Sequence, residues 1–365
     1  MNAERLHRIL KFVRDELDTS QEINHLQQLR NGLRAQISQP QDTNHSAVVA
    51  NALKSLRSIL PEVESNNISP SWQQLLQELG LYDLMGDRLL TQIESIVQRN
   101  NITPTIAFDE IDSLLSQLNN LKKGIDELLS GFQSFDIGEE ELQLHECEVG
   151  ILIPRKAVDN RLDKFRKELD DLDFILKHFS EITLGEQQPL EINTISTCDI
   201  NLLLEYAPKA AAFLALAIER IVALYKNILE VKRLRQELEE NDIPSQALES
   251  IDQHLNTKME TGIEEFVSEE FEKFCTVEDE GRKNELQNGL LISMNKIANR
   301  IDRGFNFEVR IGYDSVDENQ DDENSIDDNV QIILKVQKSL EYIKTEGDPI
   351  LRLPETKKKK KDTQE

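Results

Sequence analysis

The chain has 365 residues, 38% apolar and 5% aromatic, and 42 Lys and Arg stand against 68 Asp and Glu for a formal charge of −26. That length accommodates two or more domains, and apolar residues arranged periodically exclude a wholly disordered chain. A surface this acidic repels phosphate, which argues against a whole-chain nucleic-acid binder.

The charge is uneven: residues 1–60 carry eight Lys or Arg and six Asp or Glu, so nearly all the negative charge lies further on. Cys147, Cys198 and Cys275 are far apart and odd in number. A disulfide framework is therefore not expected, and a reducing, cytoplasmic setting fits. The first residues, MNAERLHRILKFVRDEL, carry acids and no long apolar core, unlike a signal peptide.

The first 133 residues read as helices. Leu6, Ile9, Leu10, Val13 and Leu17 form one stripe of helical period, and Leu26, Leu29, Leu33 and Ile37 a second. Thr19–Glu22, TSQE, between them matches a capping box, leaving one bent helix or two short ones. A polar loop follows at Gln39–His45, and helical patterns resume at Ala47–Leu60 and from Pro70.

The strongest periodic signal runs from Pro104 to Phe132, with Thr103 placed as its cap. Ile111, Leu114, Leu118, Leu121, Ile125, Leu128 and Phe132 alternate spacings of three and four, a heptad seam. About three heptads suit either a coiled coil or a helix inside a bundle, and the neighbouring amphipathic helices favour the bundle. This seam is the candidate interaction surface.

Past residue 136 the period becomes two. Leu142 and Leu144 share one phase, while Cys147, Val149, Ile151 and Ile153 share the other, which predicts a bulge or two strand pieces around His145–Glu146. A helix over Val158–Phe179 is expected to carry Leu162, Phe165, Leu169, Leu172 and Leu176 on one side, and Pro189–Ser196 is a second strand. Strand, helix and strand here permit a βαβ unit. Three helical stretches follow, Pro208–Glu240 apolar nearly all round in its first half, then one from Ile243 to Phe274, then one with Leu286, Leu290, Met294, Ile297 and Ile301. Phe305, Phe307, Val309, Ile311 and Tyr313 alternate cleanly, the best strand in the chain. Ile332, Val336, Leu340 and Ile343 then fit a helix closing at Gly347.

The expected fold is therefore mainly α with a small α+β part: an N-terminal helical bundle followed by a small sheet covered by long helices. Residues 1–135 would form the bundle and 136–313 the α+β domain. An acidic loop (314–328), a C-terminal helix and extended segment (329–353) and a disordered Lys-rich tail (354–365) would complete it.

Candidate chemistry is sparse. Asp314–Asn329 holds eight acidic residues, and Asp317, Asn319, Asp321 and Asp328 fall at positions one, three, five and twelve of an EF-hand loop. Asp322 stands where that loop needs Gly, and Asn324 where it needs an apolar anchor, so a solvated acidic loop is the better reading. His145 and Cys147 are the one close His–Cys pair, a thiol an imidazole could activate, against a buried thiol beside a surface histidine. Glu230–Lys232, EVK, resembles a nuclease ExK element but sits in a helical pattern. Lys357–Lys361 could touch anionic surfaces at about 1 kcal/mol per lysine, yet suits a solvated tail.

Ala210–Tyr225 is shorter than the roughly 20 residues of a bilayer crossing and is interrupted by Glu219 and Arg220. The histidines form no zinc pattern, and there is no Gly-rich phosphate loop. No cofactor is therefore expected. These residues point to a non-catalytic interaction or assembly component using helical surfaces, with protein partners and self-association. The alternatives are a metal-dependent enzyme built from carboxylates and a conditionally membrane-active effector.

Overall fold

The computed structural model describes residues 3–41, 43–100, 102–140, 142–143, 146–196, 200–240, 245–312, 327–345 and 347–356. It is mainly helical, with one small antiparallel sheet. The chain divides into two compact units, Met1–Ile68 with Trp72–Glu141, and Ser69–Ser71 with Leu142–Glu365.

The first unit is built from α1 (Ala3–Ser20), α2 (Glu22–Ser38), α3 (Thr43–Ile59), α4 (Pro70–Glu78) from Trp72 onward, α5 (Gly86–Arg99) and α6 (Pro104–Ser134). Short 3-10 turns stand at Leu60–Glu62, Glu64–Asn67 and Tyr82–Leu84. The predicted stripes meet in one core: Ile9, Leu10, Val13 and Leu17 from α1, Leu26, Leu29 and Leu33 from α2, and Ile111, Leu114, Leu118 and Ile125 from α6. Ile37 ends the α2 stripe at the surface. The first two helices are separate, broken at Gln21, whose φ of 52° is left-handed. The capping box is not formed. Glu22 is buried in the first turn of α2 and accepts the Ser20 hydroxyl at 3.2 Å instead of capping a backbone N–H. Thr103 stands at the α6 N-cap without a side-chain bond.

The second unit contains β1 (Cys147–Ile153), α7 (Leu162–Leu184), β2 (Glu191–Ser196), β3 (Ile200–Glu205), α8 (Pro208–Glu240), α9 (Ser245–Phe274), α10 (Glu280–Asp302), β4 (Asn306–Ile311) and α11 (Asp328–Ser339). The sheet order is β2-β3-β1-β4 with every neighbour antiparallel. Among the described residues no adjacent strands are parallel, as a simple βαβ unit would require. β1 and β2 do run the same way, with β3 inserted between them, which is the split form of that unit.

One sheet face is apolar: Val149 and Ile151 of β1 stand beside Leu204 and Leu202 of β3 and beside Val309 and Phe307 of β4. The opposite face carries Glu148 paired with Arg310, both buried. Alternation along β1 and β4 thus separates an apolar from a charged face, and both are covered. Leu142 and Gln143 lie outside any strand, and Leu144, His145 and Tyr313 fall outside the described residues.

The helix α8 is buried nearly all round from Ala210 to Val222, as its composition predicts, and packs on α7, α9, α10 and α11. In α7 only the later stripe positions, Leu172 and Leu176, are buried, while Leu162 is exposed. α11 ends at Ser339, eight residues before the predicted stop at Gly347. The cause is a competing partner: Asn306 accepts the Ile343 N–H at 2.7 Å and donates to the Ile343 carbonyl at 3.1 Å, holding that residue outside a helix.

The segment after α11 stays bound through Glu355. Asp302 accepts the N–H groups of Ile350 and Leu351, Asn299 that of Leu353, and Asn256 that of Arg352. Asn295 donates to the Pro354 carbonyl, and Asn299 to Glu355. The predicted tail is therefore ordered over Pro354 and Glu355. Side chains supply the backbone partners that a neighbouring strand would supply in a sheet.

Candidate functional site

Two features of the described residues leave chemistry unsatisfied, one in each unit. The first is a cleft in the helical unit of about 610 Å³. Its walls come from the later turns of α1, the end of α3 and the 3-10 turns that follow. Phe12, Ile59 and Val63 give apolar surface, and Asp15, Glu16, Glu62 and Glu64 give four carboxylates. Neither Lys nor Arg is among the described residues lining it.

Glu16 accepts the Ser65 backbone N–H at 2.8 Å through Oε2, while its Oε1 is buried without a hydrogen-bond partner. Burial pushes the Glu16 carboxyl up from its usual range, the Ser65 bond opposes this, and the Glu64 charge adds to it. Behind this wall lies Glu22, 1% exposed. Its Oε2 takes the hydroxyl of Ser20, itself a wall residue, and its Oε1 has no partner. Burial first, with the nearby Glu16 charge adding to it, pushes Glu22 up to about 8 against the opposing Ser20 bond. The cation acting on Glu16 is Arg88, whose guanidinium already donates to the carbonyls of Tyr82 and Ser65 and lies over the Tyr82 ring.

The second feature is the outer edge of the sheet. Among the described residues β2 has a strand neighbour on one side only. Its register against β3 shifts between Ile192 and Thr194, so Asn193 is the extra residue of a bulge. The bulge places Ile192 opposite Leu204 and Ile195 opposite Leu202, on the apolar face of the sheet. There the covering layer stops: Ile192 is 60% and Ile195 50% exposed.

Several other buried charges are held in ion pairs, although Arg300 Nε keeps no hydrogen-bond partner among the described residues. Asp302 Oδ1 accepts from Tyr225 Oη at 2.6 Å and Lys232 Nζ at 2.9 Å, and its Oδ2 from Ile350 and Leu351 N–H at 2.6 and 2.7 Å. Lys232, the lysine of the EVK stretch, is thereby a buried structural ion. Arg300 reaches Asp171 at 2.6 Å and Glu168 at 2.9 Å, and Arg303 holds Glu168 with two bonds. Burial alone would raise Glu168, but Arg303 and Arg300 outweigh it and hold the carboxyl below its usual range.

Ile111, Leu114, Leu118 and Ile125 lie in the core of the helical unit, with Leu121 and Phe132 packed against it, where α6 meets α1 and α2. Leu128, 51% exposed, stands at the surface. Cys147 is buried in β1, and burial, then the charges of Asp327 and Glu146, push its thiol up to about 12. Its suggested partner His145 lies outside the described residues, as do Cys198, residues 314–326 of the acidic stretch and Lys357–Lys361. Asp327 and Asp328 belong to the start of α11, where Asp327 caps the helix by accepting the Asn329 N–H at 3.0 Å.

Neither the cleft nor the sheet edge stood out in the sequence. Glu22 read there as the acid of a capping box and Glu16 was not singled out, because burial of a helix acid by distant parts of the chain leaves no local mark. Among the described residues, no three His, Cys, Asp or Glu side chains converge as metal ligands, and no helix is long and apolar enough to cross a membrane. No protein-family model matches the chain, no curated protein is significantly similar to it, and no solved structure matches it.

Proposed function

We propose that this protein is a non-catalytic assembly component that associates with protein partners, and first with a second copy of itself, through the β2 edge. The observation that supports the reading is the exposed pair Ile192 and Ile195 on the apolar face of an unpaired edge strand. Such an edge accepts a further strand by backbone hydrogen bonds, with side-chain contacts setting the register. The strand Glu191–Ser196, EINTIS, is self-complementary when two copies run antiparallel. Ile192 then meets Ile195 across a two-fold axis, and Glu191 meets Ser196, so no like charges face each other.

The formal charge of −26 opposes self-association, so salt should strengthen it by screening. Light scattering across a concentration series, at low and high salt, tests the reading. The expected result is a concentration-dependent dimer that tightens with salt and that Ile195→Lys reduces to a monomer of unchanged melting temperature. A strict monomer at every concentration and salt level removes it.

A further inference from the structure

We infer that the groove between α9 and α10 is a binding site for an extended polypeptide, filled within one chain by its own residues 350–355, and that it takes the same segment from a second copy. The segment forms neither helix nor strand, and side chains hold its backbone. Asp302 accepts the N–H groups of Ile350 and Leu351 at 2.6 and 2.7 Å. Asn256 of α9 brackets the next residues, donating to the Ile350 carbonyl at 3.1 Å and accepting the Arg352 N–H at 2.7 Å. Asn299 makes the same pair of bonds with Leu353, both at 3.0 Å, and Asn295 donates to the Pro354 carbonyl at 2.9 Å. Ile350, Leu351 and Leu353 are buried beside these bonds, while Arg352 is exposed. Main-chain bonds for affinity, with pockets for chosen side chains, are the means by which proteins hold an extended peptide from another chain.

The groove is longer than its occupant. Beyond Pro354 and Thr356 a cavity of about 320 Å³ continues between α9 and α10, walled by Ile263, Leu291 and Ile292. Asn295 also lines it, and its Oδ1 is buried without a hydrogen-bond partner among the described residues. That oxygen is one more acceptor on the face of α10 that carries Asn299 and Asp302.

Two physical constraints point to a second copy as the occupant. Asp302 is 1% exposed, and without the segment its Oδ2 and the amides of Asn256 and Asn299 lose their partners, so an empty groove is costly. An identical segment restores every bond, which makes exchange between copies the least costly way to vacate it. The connection is also short. Asn306 holds Ile343, the groove holds Ile350, and residues 344–349 join them, with Gly347 at a φ of 73° and residues 347–349 exposed. Short hinge connections invite such exchange. Within one chain the tether keeps the local concentration of the segment high, so the closed form prevails until that competition is removed.

The exchange is independent of the β2 edge, and the test keeps that edge out by placing Ile195→Lys in every chain. Two full-length variants are mixed. Leu351→Ser with Leu353→Ser spoils the segment and keeps the groove, whereas Asn256→Ala with Asn299→Ala spoils the groove and keeps the segment. Each alone should be a monomer by light scattering, and the mixture should give a one-to-one dimer. A fluorescent peptide with the sequence of residues 347–356, followed by anisotropy, should bind the segment variant about ten-fold or more tighter than the chain with an intact segment, and should raise that variant's melting temperature. A mixture that does not pair, or either variant pairing with itself, overturns the exchange. Peptide binding without pairing overturns the second copy as occupant and leaves a groove for other extended peptides. A segment variant that the peptide neither binds nor stabilises overturns the groove as a site, because the segment is then an inseparable part of the core.

Discussion

Tyr225 donates its hydroxyl to Asp302 at 2.6 Å, and both side chains are almost wholly removed from solvent. Burial, then the charge and hydrogen bond of Asp302, keep the phenol protonated far above its ordinary range, so it remains a donor at any physiological pH. With Lys232 and two backbone N–H groups this gives Asp302 four donors for two oxygens. Replacing it by asparagine turns an amide N–H₂ toward existing donors and leaves Lys232 buried without a counter-ion. The expected loss is roughly 3–5 kcal/mol, the usual range for breaking one half of a buried pair. Urea unfolding of Asp302→Asn checks this. The double variant with Lys232→Met should recover part of the loss, and a change below about 1 kcal/mol would contradict the role.

Glu22 predicts an unusual pH slope. Its carboxyl is pushed up to about 8 in the folded chain against about 4.3 unfolded, so the folded state holds the proton more tightly. Stability from this group is fully present below the unfolded value and is lost as pH rises from about 4.5 through 8. Glu168 and Asp171 act with the opposite sign: their carboxyls lie below the ordinary range, so their contribution is present above about pH 4 and lost on acidification. Glu22→Gln should therefore stabilise the protein by an amount that grows between pH 5 and 9, reaching a few kcal/mol. Denaturation curves at pH 5, 7 and 9 measure the gap, and a gap independent of pH would refute the assignment.

Most of the helical scaffold was legible because apolar residues at helical spacing record which side of each helix is covered. The α1, α2 and α6 stripes and the all-round apolar start of α8 are examples. The identity of the covering element is not recorded in that spacing. The α6 seam meets α1 and α2, although the same spacing would serve a second chain. β3 was missed because Ile200–Glu205, INLLLE, lies inside the sheet with its middle residues buried on both faces, so it lacks the alternation that marks a half-exposed strand. The end of α11 was misplaced because Leu340 and Ile343 keep helical spacing while Asn306, from β4, holds the backbone extended. The polar residues Asn295, Asn299 and Asp302 on α10 were a readable sign of this clamp, since they stand four and three apart among Ile297, Ala298 and Ile301.

Gly289 on α10 faces His178 on α7 at a distance that admits no side chain. A Cβ there would lie 2.3 Å from His178 Cδ2 and 2.7 Å from Nε2. The ring cannot easily retreat, because its Nδ1 contacts the Phe174 carbonyl at 2.8 Å and its face lies 4.1 Å from the Phe174 ring. Gly289→Ala gains about 1 kcal/mol of helix propensity. Overpacking costs about 1–3 kcal/mol. The clash should win, giving a net loss that His178→Ala in the same chain relieves. Thermal melts of the single and double variants decide the sign, and a more stable Gly289→Ala would show that the two helices separate freely.

Cys147 should be inert in the folded protein and reactive in the unfolded one. Its thiol is buried on the apolar face of β1, beside Ile311 of β4, and burial and acidic neighbours push it up to about 12. At pH 8 the thiolate, which is the nucleophile, is then roughly one part in ten thousand, before any loss of access to reagent. Cys275, just beyond α9, is only half buried. Iodoacetamide labelling at pH 8, mapped by mass spectrometry, should modify Cys275 within minutes to hours and leave Cys147 intact until denaturant is added. The same result is expected with His145→Ala, because a thiol enclosed between strands gains nothing from an imidazole. Rapid labelling of Cys147 in the native chain, abolished by that substitution, would restore the His–Cys pair as reactive chemistry.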